Sequence, residues 1–274
     1  MRDPVRRPLD VARLESFLRG APLGLPLHYR AVTESTNDDA AHLGREGAPE
    51  GTTVIADAQT HGRGRRGRSW VSPANVNVYV SVLLRPPIEP ERCPQIGLAA
   101  GLAAVNAIRT LLPAAQLKWP NDVLVRGRKL CGILAEMSAR EGRVLDFVVV
   151  GIGVNVNADQ ADFPPELAGL ATSMRIELGE PIDREAFVAA LLRELSREYH
   201  EFLASGFGQL RQRWEQACGT IGQVVEVETE TGRFSGRALG LDAHGCLRVA
   251  RDDGSEAEVM SGDVRLRESA SALH

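Results

Sequence analysis

Residues 117–137 read "LKWPNDVLVRGRKLCGILAEM", and the organisation of the chain follows from how this run divides. Residues 116–119 and 123–125 predict short strands, interrupted by the turn composition of Pro120, Asn121 and Asp122. The "RGRK" of residues 126–129 predicts a second turn, and 130–137 a longer strand. Polar and charged residues therefore crowd the turns of a sheet while apolar residues form its body. Outward from this run the pattern continues. Residues 144–156 predict a strand that follows a turn at 141–143. Residues 77–84 alternate Val78, Val80, Val82 and Leu84 on one face, and 53–59 and 28–32 predict further strands. Helices are predicted over 11–19, with Asp10 as cap and Gly20 as stop, and after "ESTN", with Ser35 or Thr36 as cap and Gly44 as stop. Three more are predicted over 96–112, 185–203 and 207–218, with Gly97 and Gly101 permitting close packing in the first of these. Residues 164–179 read as irregular. From Thr220, short alternating runs between Gly- and Asp-rich turns predict a small all-β module. The chain thus divides into residues 1–219 and 220–274.

Composition narrows the partners. The chain has 274 residues and a formal net charge of −4, which disfavours a protein that coats nucleic acid. The N-terminus has no apolar signal core, and no charge-free apolar run reaches membrane-spanning length. Cys93, Cys131, Cys218 and Cys246 are scattered without metal-ligand or CxxC spacing, the pattern of reduced cytoplasmic thiols. Of 32 basic Lys and Arg residues only two are lysine, Lys118 and Lys129. Both fall within the quoted run. Codon bias explains the arginine excess but not these two exceptions. An ammonium is a compact point charge where a guanidinium is a planar fork, so the chemistry of this segment calls for the former.

Three stretches carry chemistry. Residues 62–70, "GRGRRGRSW", set four arginines among three glycines before a tryptophan. Glycines let backbone N–H groups converge on an anion, arginines add forked donors, and Trp70 offers a face for a heterocycle. By itself the loop fits a solvated surface segment or a nucleic-acid contact as well. Second, Lys118, Asn121 and Asp122 crowd one turn and Lys129 opens the next strand. Asp122 suits Mg²⁺, and the lysines suit charge developing on phosphate oxygens. Third, "VVVGIGVNVN" at 148–157 is an apolar strand broken by Gly151 and Gly153, which mark a close approach to ligand, with Asn155 beyond them. It lacks the third glycine of a dinucleotide fingerprint.

Taken together, "ESTN" at 34–37, "AQTHGRGRRGRSW" at 58–70, "KWPND" at 118–122, "RKLCGIL" at 128–134 and "VGIGVNVN" at 150–157 resemble biotin protein ligase in order and spacing. The resemblance implies an α+β fold, with a mixed-sheet catalytic domain of the biotin/lipoate ligase type followed by an SH3-like β-barrel. It implies a ligase that converts biotin and ATP, with Mg²⁺, to biotinyl-5′-AMP and then transfers biotin to a lysine of a biotin carboxyl carrier protein. By the same resemblance Ser35, Thr36 and Asn37 hold the ureido head of biotin, and Gln59 lines its site. Gly62, Arg63, Gly64 and Arg65 form the binding loop over biotin and the adenylate, and loss of the Arg65 position lets adenylate escape. Trp70 lies near adenine. Lys129 reaches the biotin carboxylate and the adenylate oxygens, with Gly132 following along the biotin site. Lys118, Asn121 and Asp122 form the phosphate and Mg²⁺ end, and Asn155 contacts adenine. His61 stands where the family has a small residue.

Some members of that family carry an N-terminal DNA-binding domain. Here only 33 residues precede Glu34, which predicts a cytoplasmic enzyme, monomeric or homodimeric, without repressor function or DNA or membrane partners. Two rivals stand beside this reading. One is a lipoate or octanoate ligase or transferase of the same fold. The other is a nucleic-acid-binding module using the Arg/Gly loop and the β-module.

Overall fold

The computed structural model describes residues 6–140, 144–230 and 232–266. The turn expected at 141–143 lies outside them. After α1 (Val11–Leu18), β1 (Leu27–Arg30) and α2 (Thr36–Arg45) come β2 (Thr53–Ala56), β3 (Val78–Leu84) and α3 (Cys93–Arg109). The strands β4 (Gln116–Lys118), β5 (Asp122–Val125), β6 (Arg128–Arg140) and β7 (Val144–Val154) follow, then α4 (Met174–Leu178), α5 (Arg184–Ser205) and α6 (Phe207–Ala217). The chain ends in β8 (Val224–Thr229), β9 (Gly232–Leu241), β10 (Leu247–Arg251), β11 (Glu256–Val259) and β12 (Asp263–Leu266).

Strands β1 to β7 form one mixed sheet in the order β1-β2-β3-β7-β6-β5-β4. Only the β1–β2 pair is parallel. The alternation in β3 is real, but both faces are covered. Val78, Val80, Val82 and Leu84 enter the large core beneath α3 and α5. Leu83 faces the other way, joining Ala40, Val54, Phe147 and Val149 under α2. Helices on both faces explain why the central strands read as near-continuous apolar runs. The remaining strands form an antiparallel sheet in the order β11-β10-β9-β8-β12.

Most differences from the sequence reading lie at element ends. Asp10 caps α1 as expected, accepting from the Arg13 N–H at 3.0 Å. Gly44, expected as a helix stop, lies inside α2 because it packs there. A Cβ on it would come within 2.9 Å of Leu83 and of Phe147. The chain turns instead at Gly47, where φ is +88°. The stretch taken as irregular contains α4, a helix too short for periodicity to reveal. Among the described residues no helix is long and apolar enough to cross a membrane, and all four cysteines are free thiols.

Candidate functional site

A cleft opens over the α2 face of the large sheet, and its two ends differ in chemistry. One end is neutral. Ser35 is the N-cap of α2 in extended conformation, yet its hydroxyl makes no capping bond. That task passes to Gln59, whose Oε1 accepts from the Thr36 N–H at 2.9 Å and the Thr36 hydroxyl at 3.1 Å. Gln59 Nε2 in turn donates to Ser72 Oγ at 3.0 Å. The Ser81 hydroxyl, on β3, lies 2.8 Å from Thr36 Oγ1 and 2.6 Å from Asn37 Oδ1. Asn37 Nδ2 donates to Glu136 on β6 at 2.7 Å. Asn37 lies directly over Gly151, where a Cβ would come within 2.0 Å of its Oδ1. A buried polar cluster with its partners supplied is rigid, so this end is preformed and leaves the Ser35 hydroxyl uncommitted as a helix cap.

The Arg/Gly stretch is a folded turn. Trp70 N–H donates to the Gly62 carbonyl and Gly64 N–H to the Arg68 carbonyl, both at 2.7 Å. Arg66 and Gly67 at the tip have φ of +57° and +72°. The arginines reach outward to acids on both sides of the cleft. Arg63 is bridged by Asp38 and Glu136 at 2.7 Å each. Arg65 donates to Ser261 at 3.1 Å and to Asn121 at 3.4 Å. Arg66 lies 3.5 Å from Asp263, and Arg68 donates to the same carboxylate. The turn is therefore a strap from α2 and β6 to the second sheet. The Trp70 indole beneath it rests on the sheet at two glycines. A Cβ on Gly153 would approach Trp70 to 2.6 Å, and one on Gly132 to 2.9 Å.

The other end is charged. Register places Lys118 opposite Asp122, and Asp122 opposite Gly132. The turn between β4 and β5 contains a cis Trp119–Pro120 bond. Asn121 locks this turn to β6, donating from Nδ2 to the Ile133 carbonyl at 2.7 Å while its own carbonyl accepts from the Ile133 N–H at 2.9 Å. Trp119 fastens it to the second sheet through a 3.1 Å bond to the Gly245 carbonyl. Lys129 Nζ stands 2.6 Å from Asp122 Oδ1 and 5.4 Å from the centre of the Trp70 ring. Burial pushes the Lys118 ammonium below the usual lysine range, against the opposing pull of Asp122. Burial likewise lowers the Arg65 guanidinium, with Asp122 and Asp263 acting the other way. The two lysines thus flank one carboxylate in a cation-rich corner, an arrangement that suits a phosphate chain.

The structure brings Ser35, Thr36, Asn37, Gln59, Arg63, Gly64, Arg65, Trp70, Lys118, Asn121, Asp122, Lys129 and Gly132 to the walls of this one cleft. Gly62 stands behind it, where a Cβ would come within 2.5 Å of the Trp70 carbonyl oxygen. Asn155 is not brought there. Its amide is buried, donating to the Thr172 carbonyl at 3.1 Å and accepting from Asn77 at 3.4 Å. It organises the end of β7 and does not face the cleft. Sequence reasoning missed Ser81, Glu136, Ser261 and Asp263. Ser81 did leave a signal, as the one serine inside the apolar run "VYVSVLL" of β3.

Comparison with known proteins gives a consistent picture. Residues 29–155 match the model of the biotin/lipoate A/B protein ligase family, and residues 220–267 match the biotin protein ligase C-terminal domain. The biotin–[acetyl-CoA-carboxylase] ligase of Mycobacterium tuberculosis is 38% identical over 273 residues, spanning 96% of this chain and 97% of that protein. The bifunctional ligase/repressor BirA of Bacillus subtilis is 38% identical over 259 residues, spanning 94% of this chain and 79% of that one. The biotin protein ligase of Aquifex aeolicus, solved in complex with biotin and ATP, superposes with a TM-score of 0.74 at 30% identity, covering 89% of this chain and 99% of that one.

Proposed function

The chain belongs to the biotin protein ligase family, and from that premise we propose how its cleft does the work. The enzyme is an ATP-dependent biotin ligase. In the first half-reaction a carboxylate oxygen of biotin attacks the α-phosphorus of ATP. The α–β phosphoanhydride bond breaks, giving biotinyl-5′-AMP and pyrophosphate. In the second, a lysine amine of a carboxylase carrier domain attacks the acyl carbon. The acyl–oxygen bond breaks, AMP leaves, an amide forms and the amine loses a proton.

The observation that carries the assignment of roles is the polarity of the cleft. The neutral end, with Ser35, Thr36, Asn37 and Gln59, suits the uncharged ureido head. The biotin chain then runs past Asn37 and Trp70, which cover Gly151 and Gly132, and delivers its carboxylate to Lys129. Lys118, Lys129 and Arg65 converge there to offset the negative charge of the α-phosphate as it becomes five-coordinate. The strap excludes water from a hydrolysable anhydride, and Trp70 walls the passage between the two ends. Asn155 supports this floor from behind.

Mg²⁺ fits the charged end. Among the described residues no three metal-ligating side chains converge, so no closed protein cage is offered. The Asp122 carboxylate lines the cleft, its Oδ1 buried and ion-paired with Lys129 Nζ at 2.6 Å. One such carboxylate is what Mg²⁺ needs when triphosphate oxygens and water complete its shell. Asp122 would hold the ion, which would neutralise the departing pyrophosphate. The free thiols support a cytoplasmic setting. The acidic net charge and the arginines already paired with Asp38, Glu136 and Asp263 support a protein rather than a nucleic-acid partner. A relative at 38% identity named as a biotin–[acetyl-CoA-carboxylase] ligase, and a structure at 30% identity solved with biotin and ATP, favour biotin over lipoate.

The test is direct. Purified protein, biotin and ATP·Mg²⁺ are incubated with a biotin carboxyl carrier domain and probed with streptavidin after denaturation. Covalent label that disappears when the acceptor lysine is replaced is the expected result. No label on the carrier would overturn the assignment.

A further inference from the structure

Lys129 stands where the large sheet runs out of regular partners. On one side it pairs with Leu124 of β5, but on the other the β7 pairing begins only at Cys131, opposite Val154. The missing neighbour is a piece of loop. Lys129 N–H donates to the Leu170 carbonyl at 2.8 Å, and the Thr172 N–H donates to the Lys129 carbonyl at 2.9 Å. This loop follows two single 3₁₀ turns and belongs to no strand, so its position needs an anchor.

Glu177 on α4 supplies one. Its Oε1 accepts from Arg128 Nη2 and from the Thr172 hydroxyl, each at 2.6 Å. Arg126 approaches its other oxygen at 3.6 Å. The side chain is only 1% exposed. A carboxylate is costly to bury unless its partners are fixed. Here those partners are the residue just before Lys129 and the loop residue bonded to Lys129. One side chain therefore staples both members of the pairing that carries Lys129, while contributing nothing to the cleft wall.

We infer that Glu177 is a positioning residue. It clamps Arg128 to Thr172 and thereby fixes where the Lys129 ammonium stands against Asp122. This rests on the reading of Lys129 as the lysine that serves the biotin carboxylate.

Two readouts test it, on the full chain. Glu177→Gln keeps the shape of the side chain but removes the charge that holds Arg128. Misplacing a catalytic group by about 1 Å costs up to roughly a hundredfold in rate, and a loss approaching that in biotin-dependent pyrophosphate exchange is expected. In a Lys129→Ala background Glu177→Gln should cost nothing further, because the group it positions is gone. An equal loss in both backgrounds would reduce Glu177 to a general structural residue and overturn the inference. The second readout needs no activity. The chain has two lysines, so reductive ¹³C-methylation labels only these and the α-amine. The Lys129 resonance, identified by its absence in Lys129→Arg, should shift in Glu177→Gln while that of Lys118 stays. An unmoved Lys129 signal would overturn the inference as well. Thr172→Val breaks the clamp on the loop side alone and carries both readouts if Glu177→Gln fails to fold. A wild-type protein without biotin-dependent exchange would instead sink the underlying reading of Lys129.

Discussion

The two ends of the cleft are built by opposite strategies. At the neutral end Thr36, Asn37, Gln59 and Ser81 are joined by short bonds between uncharged groups, with the Glu136 carboxylate accepting from Asn37 at the edge, and the helix N-terminus they surround is buried. At the charged end Lys118, Lys129, Arg65, Arg66 and Arg68 are brought together although they repel. Two carboxylates, Asp122 from the sheet and Asp263 from the second module, make this tolerable. The first end is finished by folding. The second is loaded with cations, and in the proposed function an incoming phosphate chain would relieve it. Recognition of a neutral ring and stabilisation of a growing negative charge require this difference, since only the second gains from strong fields in a low dielectric.

Perturbing the charged end should break this contrast most severely. Lys129→Arg keeps the charge but replaces the compact ammonium that stands 2.6 Å from Asp122 with a longer, planar fork. Loss of one preorganised donor costs about 10²–10³-fold in rate, and pyrophosphate exchange should fall by that much. Near-normal exchange would show that any cation suffices there. Gly153→Ala strikes the boundary between the ends. The added methyl would sit 2.6 Å from the Trp70 indole, and such overpacking costs about 1–3 kcal/mol. A lower melting temperature and a raised KM for ATP are expected. An unchanged melting curve would mean that the indole moves freely.

The neutral end should respond more mildly and without regard to salt. Ser81→Ala leaves Thr36 and Asn37 short of a hydroxyl partner, a loss of about 1–2 kcal/mol, equivalent to roughly tenfold in affinity. Calorimetry should show weaker biotin binding by that factor at both low and high ionic strength. A salt-dependent loss would instead mean that the cations dominate there too. The smallest effect concerns pH. Burial lowers the Lys118 pKa, so its proton leaves as pH rises through a value below that of free lysine. Folding disfavours the charged form, so its cost to stability is present at low pH and is relieved on titration. The grip on nucleotide changes the opposite way, and KM for ATP should climb over that same alkaline window. Lys118→Arg should abolish the climb. A climb that persists in the variant would assign the titration elsewhere.

Much of this was legible in the sequence because it rests on rare residue types in tight spacing. The two lysines in an arginine-rich chain and the glycines of β6 and β7 are of that kind. So is the polar "ESTN" before a helix. The large sheet was legible for the same reason that its strands are apolar throughout. The missing parts are common residues whose meaning arises only from folding. Asp263 follows Arg65 by almost two hundred positions, and nothing in "SGDV" marks it as the anchor of a distant strap. Glu136 looks like an ordinary exposed strand residue until Arg63 and Asn37 meet it. Asn155 misled in the other direction. It follows a glycine-broken strand that does face the cleft, but lies past the end of that strand, where the backbone needs its amide. The glycines themselves were read as marking close approach to ligand. The closest approaches found there are those of Trp70 and Asn37.

The most direct test of the account is pyrophosphate exchange into ATP with Mg²⁺, offering biotin, lipoate and octanoate separately. The account predicts exchange that depends on biotin and collapses in Lys129→Arg. Exchange driven by lipoate or octanoate, or by none of the three, would contradict it.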